Sequence, residues 1–154
     1  MDAPALIENK GEERADDLGG LTGIVGFHIR LAHGAVYRHF TETFVDLDLT
    51  QKQVSALWLV DDHPGISQID LGGRLRMDRA TTMTIVNRLQ ERGFMRRERS
   101  ESDGRKQALY VTEAGAAALA QSKHAVEAHE GWLKARFTPQ ETEKLVELLA
   151  RIHE

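Results

Sequence analysis

The 154-residue chain contains no cysteine, which removes disulfide frameworks, thiolate metal sites and thiol redox chemistry together. No window approaches the uninterrupted apolar run of about 20 residues that a membrane-spanning helix needs. The N-terminal MDAPALIENKGEERADDLGG is acidic and lacks a basic segment followed by an apolar one, so it does not read as a secretory signal. The expected compartment is the cytoplasm. There is no internal repeat or low-complexity block. The common constellations of catalysis are missing as well: no Ser elbow, no paired carboxylates, no Cys–His arrangement. Glycines 20, 23 and 26 have neither a preceding strand nor a following Gly-Lys-Ser/Thr, so they make no phosphate loop. An excess of positive charge is lacking too: the net charge is −4 and the pI near 6.0, which taken alone argues against a polyanionic partner. The length suits one domain with a real core and is too short for two.

The average hides a segregated pattern. Residues 1–20 sum to −4, residues 21–73 to −3 and residues 112–154 to −2, while residues 74–106 hold ten Lys and Arg against five Asp and Glu, a local +5. Local field, not whole-chain charge, steers a polyanion. Residues 1–20 read as a mobile acidic tail.

Leu21 to Phe44 is expected to form one long helix. At 100° per residue, Leu21, Ile24, Val25, His28, Leu31, Ala32, Ala35, Val36 and His39 share a face. Arg30, His33, Tyr37, Phe40 and Phe44 lie opposite, so the helix needs partners on two sides, its own domain and a second subunit. Thr50 and Gln53 form a capping box, with Leu49 and Val54 as a hydrophobic staple. The helix they open carries Val54, Leu57, Trp58 and Val60 and breaks at residues 63–65, His-Pro-Gly. Ser67 with Asp70 opens a short helix reaching Met77, weakened by Gly72 and Gly73. Asp78 caps DRATTMTIVNRLQER and Gly93 stops it. Thr82, Ile85, Val86 and Leu89 make its inward stripe; Ala80, Thr81, Thr84, Asn87 and Arg88 point away.

A β-hairpin follows, Phe94–Arg99 and Arg105–Val111, with Asp103-Gly104 as the turn signal. Thr112 caps an alanine-rich helix reaching about Phe137, and Thr138-Pro139-Gln140-Glu141 starts the last helix, which carries Leu145, Val146, Leu148, Leu149 and Ile152. The order α-α-α-α-β-β-α-α is mainly α with a small β-wing. A capped helix followed at once by a basic hairpin is how a winged helix-turn-helix presents one element to the major groove and another to the backbone or minor groove of DNA.

Two motifs sharpen this. Asp103-x-Arg105 followed by Leu109-x-Val111-Thr112-x-x-Gly115, and Leu89-x-x-x-Gly93-Phe94-Met95-x-Arg97 upstream, resemble the MarR (multiple antibiotic resistance regulator) family of bacterial transcription regulators, over about Leu21 to Ile152. The resemblance implies a single domain over residues 21–154, with N- and C-terminal dimerisation helices at 21–45 and 113–154 and a DNA-binding part at about 50–112. It also implies a homodimer on a pseudo-palindromic operator in double-stranded DNA. Repression of aromatic-compound catabolism or efflux genes would be relieved by a small aromatic effector, a phenolic acid or its acyl-CoA thioester; activation by the same fold is the alternative. Two departures stand out. Leu71-Gly72-Gly73 replaces a frequent Leu-Ala pair, which is expected to loosen that helix, and Gly104-Arg105-Lys106 replaces two arginines directly after the aspartate.

Candidate base readers are Thr81, Met83, Thr84, Asn87 and Arg88, with Arg79 beside them: threonine methyls suit thymine methyls, Asn suits adenine and Arg suits guanine. The bland alternative, a solvated helix face, would carry more Glu and Lys. Arg105 at the hairpin tip suits a narrow minor groove, with Asp103 pairing with it or fixing the turn. Arg97, Arg99 and Lys106 suit phosphates, and Arg96 pairs with Glu98 or Glu101. For an effector, His28, Arg30, His33, Tyr37 and Trp58 combine a cation for a carboxylate or phosphate with rings for stacking. The segment GFHIRLAHGAVYRHF is similar to the first helix of family members responding to hydroxycinnamate-type compounds or their CoA thioesters. Alternatively these residues satisfy one another at a buried helix junction or dimer seam. No metal and no other cofactor is expected: His28, His33 and His39 are five and six apart and His124 and His129 five apart, none at the three- or four-residue spacing that puts two imidazoles on one helical face. Two rivals from other classes are a small helical enzyme using His28, His33 and Tyr37, and a winged helix that docks only proteins, which would show an apolar exposed helix face.

Overall fold

The computed structural model describes residues 17–154. The acidic tail expected at 1–20 therefore lies mostly outside the described residues. The described residues form two compact units, the first ending at Ala35 and the second spanning Val36–Glu154.

In the first unit a 3-10 helix spans Gly19–Gly23, and α1 (Val25–Thr43) begins after it. The single helix expected from Leu21 is thus corrected. Gly19 sits at φ 54, and Ile24 is extended at φ −91 and ψ 106, so the chain breaks its helical path although the apolar period runs on through it. Periodicity reports which residues could share a face; it cannot see a backbone that leaves the α region between them.

In the second unit α1 ends at Thr43, followed by α2 (Gln51–Asp62), α3 (Gln68–Arg74), α4 (Arg79–Glu91), β1 (Met95–Arg99), β2 (Gln107–Val111), α5 (Glu113–Lys134) and α6 (Pro139–His153). Local signals fix most of these boundaries. Thr50 and Gln53 close a complete capping box, as do Thr138 and Glu141 with Pro139 in the first turn. Ser67 and Asp78 accept the N–H groups of Asp70 and Thr81. Gly93, at φ 73, ends α4 with the paired bonds Gly93 N to Gln90 O and Phe94 N to Leu89 O, both 2.9 Å.

α3 stops three residues earlier than expected. Arg76 takes the left-handed position of the same kind of helix end, at φ 54, with Arg76 N donating to Gly73 O at 3.3 Å and Met77 N to Gly72 O at 2.9 Å. Gly72 also has a packing role. A Cβ at Gly72 would lie 2.6 Å from Thr82 Oγ1, and the buried Thr82 hydroxyl is fixed by donating to Asp78 O at 2.8 Å. The absent side chain lets α3 and α4 approach.

The core of this unit is built from Phe40, Phe44, Val54, Leu57, Val60, Leu71, Ile85, Val86, Leu89, Met95, Leu109 and Leu119. α2 packs on α4, α5 and β2, and α3 packs on α4. The strands are antiparallel, with Met95 opposite Val111 and Arg97 opposite Leu109. Residues before α3 add an unforeseen edge to the wing: Gly65 N donates to Leu109 O at 2.8 Å and Leu109 N to Ile66 O at 3.0 Å. The Thr112-x-x-Gly115 motif is a joint. Thr112 Oγ1 donates to Gly93 O at 2.5 Å and accepts from Gly115 N at 3.0 Å, while a Cβ at Gly115 would collide with the Phe94 carbonyl.

Candidate nucleic-acid interface

The inward stripe of α4 is as expected: Thr82, Ile85, Val86 and Leu89 are buried. The opposite face exposes Arg79, Ala80, Met83, Thr84, Asn87 and Arg88. Two threonines are partly committed within the helix. Thr81 is half-buried and its hydroxyl donates to Asp78 Oδ2 at 2.9 Å, so it belongs to the helix cap; the Thr84 hydroxyl turns back to Ala80 O at 2.9 Å. The bonds from the Thr81 backbone and side chain hold the Asp78 carboxyl below its ordinary range, keeping a charged cap at the positive end of α4. Arg88 makes an exposed 3.7 Å pair with Glu91, which solvent and salt screen, leaving it able to exchange partners.

The wing tip is a four-residue turn. Lys106 N donates to Asp103 O at 2.9 Å, Arg105 N to Asp103 Oδ1 at 3.1 Å, and Ser100 N to Lys106 O at 3.0 Å. Of the two roles open to Asp103, the geometry gives it the turn. The Asp-Gly signal works through the aspartate: Gly104 is not left-handed, and the strands end at Arg99 and Gln107 rather than reaching Arg105. Arg99, Arg105 and Lys106 are exposed around this turn. Arg96 pairs with Glu98 and lies 4.5 Å over the Tyr110 ring.

Arg97 differs from the free phosphate contact expected of it. It is half-buried, and its Nη2 donates to Gln68 Oε1 at 3.0 Å and to Asn87 Oδ1 at 2.6 Å. The wing is thereby tied to both α3 and α4. The sequence pointed to neither Gln68 nor its neighbour Ile69. Both line an open groove of about 580 Å³ between α3 and α4, with Met77, Arg79 and Met83; Ile69 and Met83 are 59% and 50% exposed there, apolar groups available to base methyls.

The candidate effector residues divide between the units. In the first, His28 Nε2 meets Thr22 O at 2.7 Å and the Arg30 guanidinium stands 5.2 Å over the Phe27 ring; His33 is exposed. In the second, Tyr37 is exposed, and Lys123 Nζ lies 4.8 Å over the Trp58 ring.

Among the described residues no cluster of three or more His, Asp or Glu could hold a metal ion, and no helix is long and apolar enough to cross a membrane.

This arrangement recurs in known proteins. A sequence model of the MarR family matches residues 49–106, from the residue before the α2 cap to the wing tip. A protein of Thauera aromatica, assigned as the transcriptional regulatory protein for an hcr operon, is 30% identical over 154 residues, covering 96% of this chain and 93% of that protein. The transcriptional repressor CouR, solved on a 23-mer DNA duplex, is similar with a TM-score of 0.84 and 31% identity, covering 88% of this chain and 96% of that one. PcaV of Streptomyces coelicolor shares the fold at TM-score 0.79 and 23% identity, over 88% and 95% of the two chains. These relatives are regulators, which sets aside the small-enzyme reading. With the helix-turn-helix, the arginine-bearing wing and a relative matched over nearly its full length, the chain belongs to the MarR family of DNA-binding transcription regulators.

Proposed function

We propose that the protein is a homodimeric repressor that holds an operator through α4 and the wing and releases it when an aromatic acid, free or as its CoA thioester, binds. The observation that carries this reading is the confinement of a local +5 to residues 74–106 of a chain whose net charge is −4. Exposed guanidinium and ammonium groups on α4 and at the wing tip displace counterions from the duplex and supply affinity. In this reading Met83, Thr84, Asn87 and Arg88 meet base edges, Thr81 supports the cap beside them, and Arg79, Arg99 and Lys106 meet phosphates. Arg105 enters the minor groove from a turn that Asp103 holds.

The similarity to a repressor solved on a 23-mer duplex supports repression. Such a duplex spans about two turns, room for half-sites one turn, about 34–36 Å, apart. A two-fold partner is supported by large apolar side chains left in solvent, which a second subunit would cover: Val146 and Ile152 of α6 are 64% and 65% exposed and Val25 of α1 71%. The effector contacts proposed from the residue types are His28, Arg30 and His33 within the first unit and Tyr37 and Trp58 within the second, each set taken by itself. Arg30 offers a cation to a carboxylate and the rings offer stacking.

The test is fluorescence anisotropy of a labelled duplex from the protein's own promoter region, with hydroxycinnamic and benzoic acids and their CoA thioesters added. Release by one of them at concentrations where Arg30→Ala keeps the duplex bound agrees with the reading. Tight binding indifferent to every compound sinks the effector, and failure to bind the duplex sinks the repressor.

A further inference from the structure

The geometry points to Arg97 as the residue that decides which base Asn87 reads. The inference rests on α4 entering the major groove, as proposed above. Arg97 Nη2 carries two N–H groups, one directed to Gln68 Oε1 at 3.0 Å and the other to Asn87 Oδ1 at 2.6 Å. A guanidinium has donors and no acceptor, so each amide is obliged to turn its oxygen toward it. The chemistry therefore fixes the Asn87 amide: oxygen inward to Arg97, NH2 outward. Asn87 is exposed, so that NH2 is the end it offers to a partner.

Asparagine reads adenine with both ends, its oxygen accepting from N6 and its NH2 donating to N7. Here one of the oxygen's two lone pairs is taken by a short, charge-assisted bond that turns the oxygen toward Arg97. With the amide held that way its NH2 leads toward the base, a donor matched to O6 and N7 of guanine or to O4 of thymine. The adenine preference expected from an unconstrained asparagine gives way to one for an acceptor.

Arg97 is built into the protein to do this. Its Nε is buried and has no hydrogen-bond partner, a cost that an arginine reaching into solvent for a phosphate does not incur. The bracket also joins α3, α4 and β1 at one atom, so the orientation of Asn87 and the placement of the wing are set together. Arg97 is a positioning residue: it acts on the base through Asn87.

Binding-site selection from a pool of randomised duplexes reads base preference position by position. Asn87→Ala locates the position Asn87 controls. There the wild type is expected to disfavour adenine, and Arg97→Leu to raise adenine by roughly tenfold, a change of about 1.4 kcal/mol, leaving other positions unaltered. Arg97→Lys, which still donates to Oδ1, keeps the wild-type preference. Asn87→Asp leaves Arg97 in place and presents an acceptor outward, so it shifts preference toward cytosine even where Arg97→Leu proves too unstable to select with. The proposal is overturned by a wild type that prefers adenine at that position, by an Arg97→Leu protein weakened equally on all sequences, or by an Asn87→Asp protein with unchanged preference. An Asn87→Ala protein that binds with every preference unchanged overturns it as well, since Asn87 then reads no base; a wild type that selects no sequence from the pool shows instead that the placement of α4 in the groove has failed.

Discussion

The Nδ1 atoms of His39 on α1 and His129 on α5 stand 2.8 Å apart, with the Trp132 ring stacked 4.0 Å from His39. Such a contact needs one N–H and one lone pair, so the two rings cannot both carry a proton on Nδ1. His129 is 5% exposed. Burial, followed by the neighbouring His39, lowers its pKa below the ordinary 6.5, against a smaller opposing effect of Glu130. Between the lowered folded value and 6.5 the unfolded chain binds more protons, so stability rises with pH across that window. It is complete above about 6.5 and is lost as pH falls through the folded value. Thermal unfolding between pH 8 and pH 5 is expected to show a midpoint falling on the acid side, and His129→Gln to flatten it. This loss comes before that of Asp78 and Glu147, whose lowered carboxyl values place theirs below 3.8 and 4.5. A midpoint independent of pH down to 5 contradicts the assignment.

Gly115→Ala is expected to be severe. Its Cβ would overlap the Phe94 carbonyl, backbone held between α4 and the wing, and would press on Val111 Cγ1 at 2.9 Å. Overpacking against a fixed backbone costs about 3 kcal/mol or more. Urea unfolding measures it, and a midpoint equal to that of the wild type rules out the joint described for Thr112 and Gly115.

Arg76→Gly has the opposite sign. Arg76 holds φ 54 at the end of α3, where a side chain costs about 1–2 kcal/mol that glycine avoids. Glycine also makes the unfolded chain more flexible, so the expected gain is about 0.5–1 kcal/mol. It is read as a higher urea midpoint at unchanged slope; a lower midpoint means that the Arg76 side chain contributes more than its backbone conformation costs.

Arg92→Met probes a link outside the groove-facing set. The Arg92 guanidinium donates to the carbonyls of Asp48 and of Leu47, the latter at 3.4 Å, and sits 4.7 Å over the Phe94 ring. Losing charged bonds to carbonyls is expected to cost about 1.5–3 kcal/mol, with faster amide exchange around residues 47–48. Unchanged exchange there means that the turn after α1 does not depend on Arg92.

What could be read from the chain beforehand follows from how far each determinant acts. Caps act over three residues, so Thr50 with Gln53, Asp78, Thr112 and Thr138 with Glu141 announced their helices. The stripe Thr82, Ile85, Val86 and Leu89 announced the buried side of α4. Determinants set by packing stayed hidden. Gly72 looks like a helix weakener until Thr82 is seen against it. Arg97 looks like one more free cation until Gln68 and Asn87, 29 and 10 residues away, are seen to hold it. His39 and His129 lie 90 residues apart, beyond any spacing rule. The start of α1 is hidden for a related reason: the apolar period continues through Leu21 and Ile24, while the helical backbone does not.

The account rests on exposed cations of α4 and the wing holding DNA, and affinity as a function of salt tests it most directly. Titration of a promoter duplex at several salt concentrations, for the wild type and Arg105→Ala, gives log affinity against log salt. The predicted result is a steep negative slope for the wild type, made shallower by roughly one unit in Arg105→Ala together with weaker binding. Equal affinities and equal slopes for the two proteins contradict it.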